Sequence, residues 1–223
     1  MALSPRHTKL EIVLTAILTL CAAVTTMLVL RREFALGRPP GGALEQQFRS
    51  DWKTFLANGK SLGVPTGRIK IVEFVDFQCP YCAVFANSLD SLMRLYPSEV
   101  YVVVRSFPLS MHPHAATAAR AAECAAQQRA FERYYHRVFT QPDSIWFSRT
   151  SELALILGIP DTSEFSSCIA SHWAETSVAT DSTEGARLGL QGTPLVMLNG
   201  WMFPGTPSTA DLVRVIERQQ FLP

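Results

Sequence analysis

The sequence predicts an α/β domain in which a block of helices interrupts the sheet, preceded by one N-terminal transmembrane helix. Three observations lead there. Ile12 to Leu30 is a run of 19 residues with no charge, Gly or Pro. A second apolar segment, Ile69 to Phe77, feeds straight into Cys79-Pro80-Tyr81-Cys82. Leu195 to Leu198 and Trp201 to Phe203 flank Asn199-Gly200, a two-residue hairpin signal. Composition agrees: of 223 residues 48% are hydrophobic and 17% charged, which is apolar for a soluble chain of this length. A net charge of +1 without a long basic or acidic block lacks the electrostatic footprint of a nucleic-acid binder, so no nucleic-acid partner is expected. The same composition excludes a disordered or collagen-like chain. Five cysteines are too few for a disulfide-dense miniprotein, so their neighbours decide what each does.

The first element is the membrane segment. At 1.5 Å per residue the run from Ile12 to Leu30 reaches roughly 28 Å, about one hydrocarbon core. Arg6, Lys9 and Glu11 precede it, and Arg31, Arg32 and Glu33 follow it. A secretory signal would have a shorter apolar region and end at small residues, whereas Cys21-Ala22-Ala23 falls mid-run. An uncleaved anchor over residues 1–33 is therefore expected, with cleavage as the alternative. Leu20 before Cys21 is unlike a lipoprotein signal, and Cys21 reads as a small apolar residue in a helix. Basic residues flank both ends, so charge counting leaves the orientation open. Residues 34–65 then read as a linker, Gly37 to Gly42, followed by a polar helical lead-in from Leu44 to Leu62. The folded domain is expected over residues 66–223.

Within that domain, Ile69 to Phe77 is apolar on both alternating faces apart from Lys70, Glu73 and Asp76, the pattern of a strand covered on both sides. Phe85, Leu89, Leu92, Met93 and Tyr96 follow at helical spacing. Cys79 thus lies where a strand turns into a helix, beside unpaired backbone N–H groups and the positive end of the helix dipole, both of which favour a thiolate. Cys82, three residues on, is within disulfide reach and placed to resolve. The same spacing is half of a zinc site and could also bind copper, but Cys124, Cys168, His112 and His114 supply no second metal-binding pair, so no metal is expected. His112 and His114 read as the start of a loop. Val100 to Phe107 is a second β-branched strand, and Ala115 to Gln127, Phe131 to Thr140, Ser151 to Leu157 and Glu164 to His172 read as helices. Thr209 to Gln219 supplies a closing amphipathic helix. Trp146, Trp173 and Trp201 are assigned to core or groove edges, without a catalytic role.

These residues resemble a family. Phe74 to Cys82, Ser106-Phe107-Pro108-Leu109 with His112-Pro113, the Ala-rich run to Glu123-Cys124-Ala125, Phe165 and Cys168, and Gly192-Thr193-Pro194 before Leu195 to Gly200 are similar to the DsbA-like thiol-disulfide oxidoreductases, in particular anchored bacterial members related to BdbD. The resemblance covers nearly all of Ile69 to Leu222. It implies a thioredoxin fold with a helical insertion at about residues 112–187. Tyr81 stands where the strongest oxidants of the family carry His, which leaves the potential open.

Glu73, by strand alternation, shares a face with Ile71, Val75 and Phe77, where a carboxylate is desolvated. It matches the family's buried acid, whose implied role is to exchange a proton or bias charge beneath Cys82; a strand-edge Glu reaching solvent is the alternative. The resemblance implies a cis Thr193–Pro194 bond facing the active-site cysteines, with the Thr193 backbone pairing with extended substrate; a rigid turn is the alternative. Cys124 and Cys168 are candidates for a structural disulfide, or else two buried thiols.

The activity implied is that of a membrane-tethered enzyme forming disulfides in exported proteins through Cys79 and Cys82, with no cofactor. Its partners would be thiol-containing exported polypeptides and a quinone-linked membrane redox protein. The catalytic domain would lie outside the cytoplasm, because a disulfide relay does not persist among cytosolic reductants. A reductase or isomerase uses the same chemistry, and a copper chaperone or non-catalytic binding module would use the same fold differently.

Overall fold

The computed structural model describes residues 5–36, 46–142, 145, 149–203 and 205–220, with side chains for 11–27, 46–142, 145, 149–203 and 205–219. The linker at 37–42, Trp146 and the charged flanks of the apolar run other than Glu11 lie outside the described side chains. The chain divides into two units, residues 1–44 and 45–223. In the first, α1 (Pro5–Leu36) is one continuous helix. The hydroxyls of Thr15, Thr19, Thr25 and Thr26 each donate to a carbonyl one turn back, so the polar groups of the run are satisfied within the helix. Among the described residues no helix is long and apolar enough to cross a membrane; the described side chains end at Met27, short of the 19-residue run.

The second unit is built on a sheet of order β1-β6-β5-β3-β4-β2. Its strands are β1 (Gln47–Phe48), β2 (Lys60–Gly63), β3 (Ile69–Val75), β4 (Val100–Ser106), β5 (Leu195–Leu198) and β6 (Trp201–Phe203). β3 lies at the centre, parallel to β4 from Ile69↔Val100 to Val75↔Ser106 and antiparallel to β5. The parallel pair needs a crossover, supplied by α2 (Pro80–Leu95). α3 (Ala115–Gln127), α4 (Phe131–Thr140), α5 (Thr150–Ile156), α6 (Thr162–Ile169) and α7 (His172–Arg187) form the helical block between β4 and β5, and α8 (Thr209–Gln220) closes the chain.

Alternation along β3 feeds two cores. Ile69, Ile71 and Val75 pack with Phe85, Leu89 and Leu92 of α2 and with Leu212, Val215 and Ile216 of α8. Val72 and Phe74 point the other way, to Phe55 and Met197. The β5–β6 hairpin turns at Asn199 (φ 46°) and Gly200 (φ 92°), the left-handed pair that an Asn-Gly turn adopts. Asn199 Oδ1 accepts from the Lys70 N–H at 2.8 Å and locks the hairpin to β3. A Cβ on Gly200 would lie 2.5 Å from the Trp52 ring, so close packing as well as φ demands glycine there.

One expectation is corrected. Residues 44–62 do not form a helical lead-in: the described part contains β1, a 3-10 turn (Trp52–Leu56) and β2, and β1 and β2 pair with β6 and β4. Cross-strand pairing decides this stretch, in which Lys60 and Leu62 turn inward while Ser61 and Gly63 face out. The compact unit accordingly takes in residues from 45 onward. α7 falls within the helical insertion expected at about residues 112–187, although the sequence marks no separate helix there. Its inward stripe is Ala174, Val178, Asp181 and Gly185, too small and polar to register as hydrophobic periodicity.

Candidate active site

Cys79 is the N-cap of α2, with extended backbone (φ −75°, ψ 125°) and Pro80 as the first helical residue. The N–H groups of Cys82 and Ala83 close onto its carbonyl at 3.1 and 3.2 Å. Its thiol donates to the Thr193 carbonyl at 3.3 Å, which brings the loop before β5 onto the sulfur. The Thr193–Pro194 bond is cis. Both cysteines of the motif are free thiols, and both are buried.

Their environments push them apart. The Cys79 thiol is lowered to about 5, chiefly because the Cys82 thiol donates to its sulfur; the Thr193 side chain and the backbone N–H groups of Cys82 and Tyr81 add to this against the opposing effect of burial. Cys82 is pushed up, first by burial, then by the Cys79 sulfur and the charge of Glu73. One sulfur is therefore a thiolate at neutral pH and the other a thiol. That division suits an attacking and leaving sulfur paired with a protected one.

Glu73 is fully buried on the face predicted for it, with its carboxyl pushed up to about 8 by loss of solvent, while a hydrogen bond from Tyr135 pulls the other way. Tyr135, 62 positions further along on α4, donates to Glu73 Oε2 at 2.8 Å. Sequence spacing carries no sign of this contact. Asp76 was another residue without an assigned role. Its buried carboxylate accepts from the Gln78 N–H at 2.7 Å and the Leu109 N–H at 2.8 Å, and pairs with His112 Nδ1 at 2.8 Å. His112 is thus in a loop, as expected, but tied to the end of β3. An acid directly after an apolar strand and before the cysteines was the available clue.

An open groove of about 860 Å³ runs past Cys79, lined among others by Leu109, His112, Leu190, Thr193, Pro194 and Met202; no Asp, Glu, Lys or Arg lines it among the described residues. Cys79, Thr193 and Pro194 are brought together there, with Glu73 and Cys82 behind them. Cys124 of α3 and Cys168 of α6 are joined by a disulfide with a Cα–Cα distance of 5.8 Å, inside the helical block and outside the groove lining. Trp173 is exposed and Trp201 packs against the core; neither lines the groove. Among the described residues no group of three or more His, Cys, Asp or Glu is arranged to hold a metal ion.

The family described as Thioredoxin matches residues 57–218. The chain belongs to the thioredoxin family. Within it, the helical block inserted between β4 and β5 gives the domain the fold of the DsbA-like solved structures it resembles. It is similar in structure to a thioredoxin-like oxidoreductase from Silicibacter pomeroyi DSS-3, with TM-score 0.65 and 25% identity over 78% of this chain and 99% of that one. BdbD from Bacillus subtilis, in its oxidised form, shares the fold with TM-score 0.64 and 18% identity over 78% of this chain and 96% of that one. Among curated proteins it is 31% identical over 158 residues to the Na(+)/H(+) antiporter NhaA 1 of Mycolicibacterium gilvum (strain PYR-GCK), covering 70% of this chain and 25% of that protein. The chain thus spans about a quarter of the length of that relative.

Proposed function

We propose that this protein is a membrane-tethered oxidase of protein thiols, forming disulfides in exported polypeptides through Cys79 and Cys82. The observation that carries the direction is the stabilised Cys79 thiolate, lowered to about 5. Stabilising the reduced form of a dithiol makes its disulfide a stronger oxidant. A substrate thiolate attacks Cys79 Sγ of the oxidised enzyme; the Cys79–Cys82 bond breaks and its electron pair leaves on Cys82. Glu73, protonated over most of the neutral range, gives Cys82 its proton. The second substrate thiolate then attacks the substrate sulfur of the mixed disulfide and releases Cys79 as a thiolate. The substrate leaves oxidised by two electrons, and the enzyme leaves reduced by the same two.

The loop before β5 supports a polypeptide substrate. It sets the Thr193 backbone beside Cys79, at the edge of an uncharged groove, where an extended chain could add main-chain hydrogen bonds with little regard for side chains. Return to the disulfide needs an electron acceptor, for which a quinone-linked membrane protein is the proposed partner. The anchor is proposed over residues 12–30, on the apolar run and the internally bonded threonines of α1. The domain would then lie on the extracytoplasmic side. Similarity to part of a membrane antiporter is consistent with a setting at a membrane.

The reduction potential of the Cys79/Cys82 couple, equilibrated against glutathione, tests the direction. A value near about −120 mV is expected of an oxidant; one near about −270 mV would make the protein a reductase. Catalysed oxidation of a reduced polypeptide, lost in Cys79→Ser, completes the test.

A further inference from the structure

The buried acid beneath the cysteines is held from outside the sheet that carries it. Tyr135 belongs to α4 of the inserted block, and its hydroxyl donates to Glu73 Oε2 at 2.8 Å. The other carboxyl oxygen, Oε1, is buried without a hydrogen-bond partner. A buried carboxyl oxygen left this way is costly unless it carries a proton or has work to do. The Tyr135 ring cannot swing away: it meets Phe139 edge-on at 5.1 Å and Phe131 at 6.0 Å between ring centroids, and is itself fully buried.

We propose that Tyr135 is a positioning residue for thiol-disulfide exchange, whose hydroxyl fixes Glu73 by one oxygen so that the other carries the proton delivered to Cys82 as the disulfide opens. The proposal rests on the thiol-disulfide reading above. In the step it serves, substrate thiolate bonds to Cys79, the electron pair of the broken bond goes to Cys82, and the proton on Glu73 Oε1 follows it. The resulting carboxylate keeps the Tyr135 O–H as its donor. Without that donor the buried carboxylate would be harder to form, and proton delivery would be held back.

The titratable groups facing this pair are Cys82 and Asp90 of α2, and His136 of α4, whose Nδ1 lies 3.3 Å from Asp90. Burial and the negative charges of Glu73, Cys82 and Asp90 push the Tyr135 hydroxyl up. Tyr135 therefore remains a neutral donor and is not itself the base.

The test is a carboxyl-carbon NMR titration of Glu73 in the full-length reduced protein, assigned with Glu73→Gln and repeated in Tyr135→Phe. Loss of a donor to the carboxylate raises its midpoint, by roughly one pH unit for a hydrogen bond to a charged group. The pH profile for opening of the Cys79–Cys82 disulfide by dithiothreitol is expected to move upward with it. Asp90→Asn, which removes a negative charge, is expected to move the midpoint slightly down. In the wild-type protein the Tyr135 ring carbon bearing the hydroxyl should titrate with the Glu73 midpoint, a readout that survives even if Tyr135→Phe fails to fold. An unmoved Glu73 midpoint in Tyr135→Phe, a disulfide-opening profile that stays put while Glu73 moves, or a Tyr135 ring carbon blind to Glu73 would each overturn the proposal. None of these measurements uses a polypeptide substrate, so failure to oxidise polypeptides would count against the proposed function and leave this proposal standing.

Discussion

Cys79 and Cys82 are three residues apart, yet their thiols have opposite character because one caps a helix and the other lies inside it against a buried acid. Alkylation of the reduced protein should therefore label Cys79 with a midpoint near pH 5 and leave Cys82 unlabelled through the neutral range; faster labelling of Cys82 would reverse their roles. Glu73 makes a second prediction, on stability. Its native carboxyl is raised to about 8 from an ordinary 4.5. Below that ordinary value native and unfolded chains both hold the proton and nothing is lost. As pH rises from 4.5 towards 8 the unfolded chain releases the proton that the native chain keeps, and stability falls. Glu73→Gln should remove that loss, on the order of 3–5 kcal/mol between pH 5 and 8. Urea unfolding of the oxidised protein isolates the effect, because neither Cys79 nor Cys82 titrates as a disulfide. The Cys79 contribution in the reduced protein has the opposite sign: present above its ordinary 9.0 and lost as pH falls through about 5.

Between elements, the helical block is fastened to the sheet by buried charges. Lys60 of β2 pairs with Glu123 of α3 and, at 3.3 Å, with Asp181 of α7. Arg105 of β4 meets Asp181 at 2.5 Å and Glu184 at 2.6 Å, and Asp181 also accepts the Ser106 N–H at 2.7 Å. Burying ions costs several kcal/mol each, and the cost is met here because every member has a partner. Lys60→Met leaves Glu123 without its cation and Asp181 with Arg105 alone, and should destabilise the protein by about 3–5 kcal/mol in urea unfolding. Within the block, the Cys124–Cys168 disulfide joins α3 to α6 across 44 positions. Replacing both cysteines by Ala should cost ~2–4 kcal/mol while leaving Cys79 alkylation unchanged, since the bond lies outside the groove lining. A change in the Cys79 midpoint in that variant would show coupling between block and site.

For the whole molecule, the prediction concerns where it resides. An apolar run of 19 residues with its threonines bonded inward should hold the protein in membranes through alkaline carbonate washing. Release by the wash would remove the anchor. A reporter fused after residue 223 should be active only in a form that works outside the cytoplasm. A reporter active only in the cytoplasm would place the domain on the wrong side for the proposed chemistry.

Local pattern was enough for the elements whose inward face is apolar. The strand before the cysteines, the amphipathic helix after them, the helices Ala115–Gln127 and Phe131–Thr140, and the Asn199-Gly200 hairpin are all legible, because periodicity and turn chemistry are properties of neighbours in the chain. The placement of Cys79 at a helix entry was legible for the same reason. What the sequence hid was set by partners far away in the chain. β1 and β2 are too short to declare themselves and exist by pairing with β6 and β4. α7 turns Asp181 inward because Arg105 and Lys60 await it. Tyr135 reaches Glu73 across 62 positions, and His112 reaches Asp76 across 36. Spacing determined which sulfurs could react; long-range burial and hydrogen bonding, which only the folded chain brings about, decided the charge and proton environment in which they do.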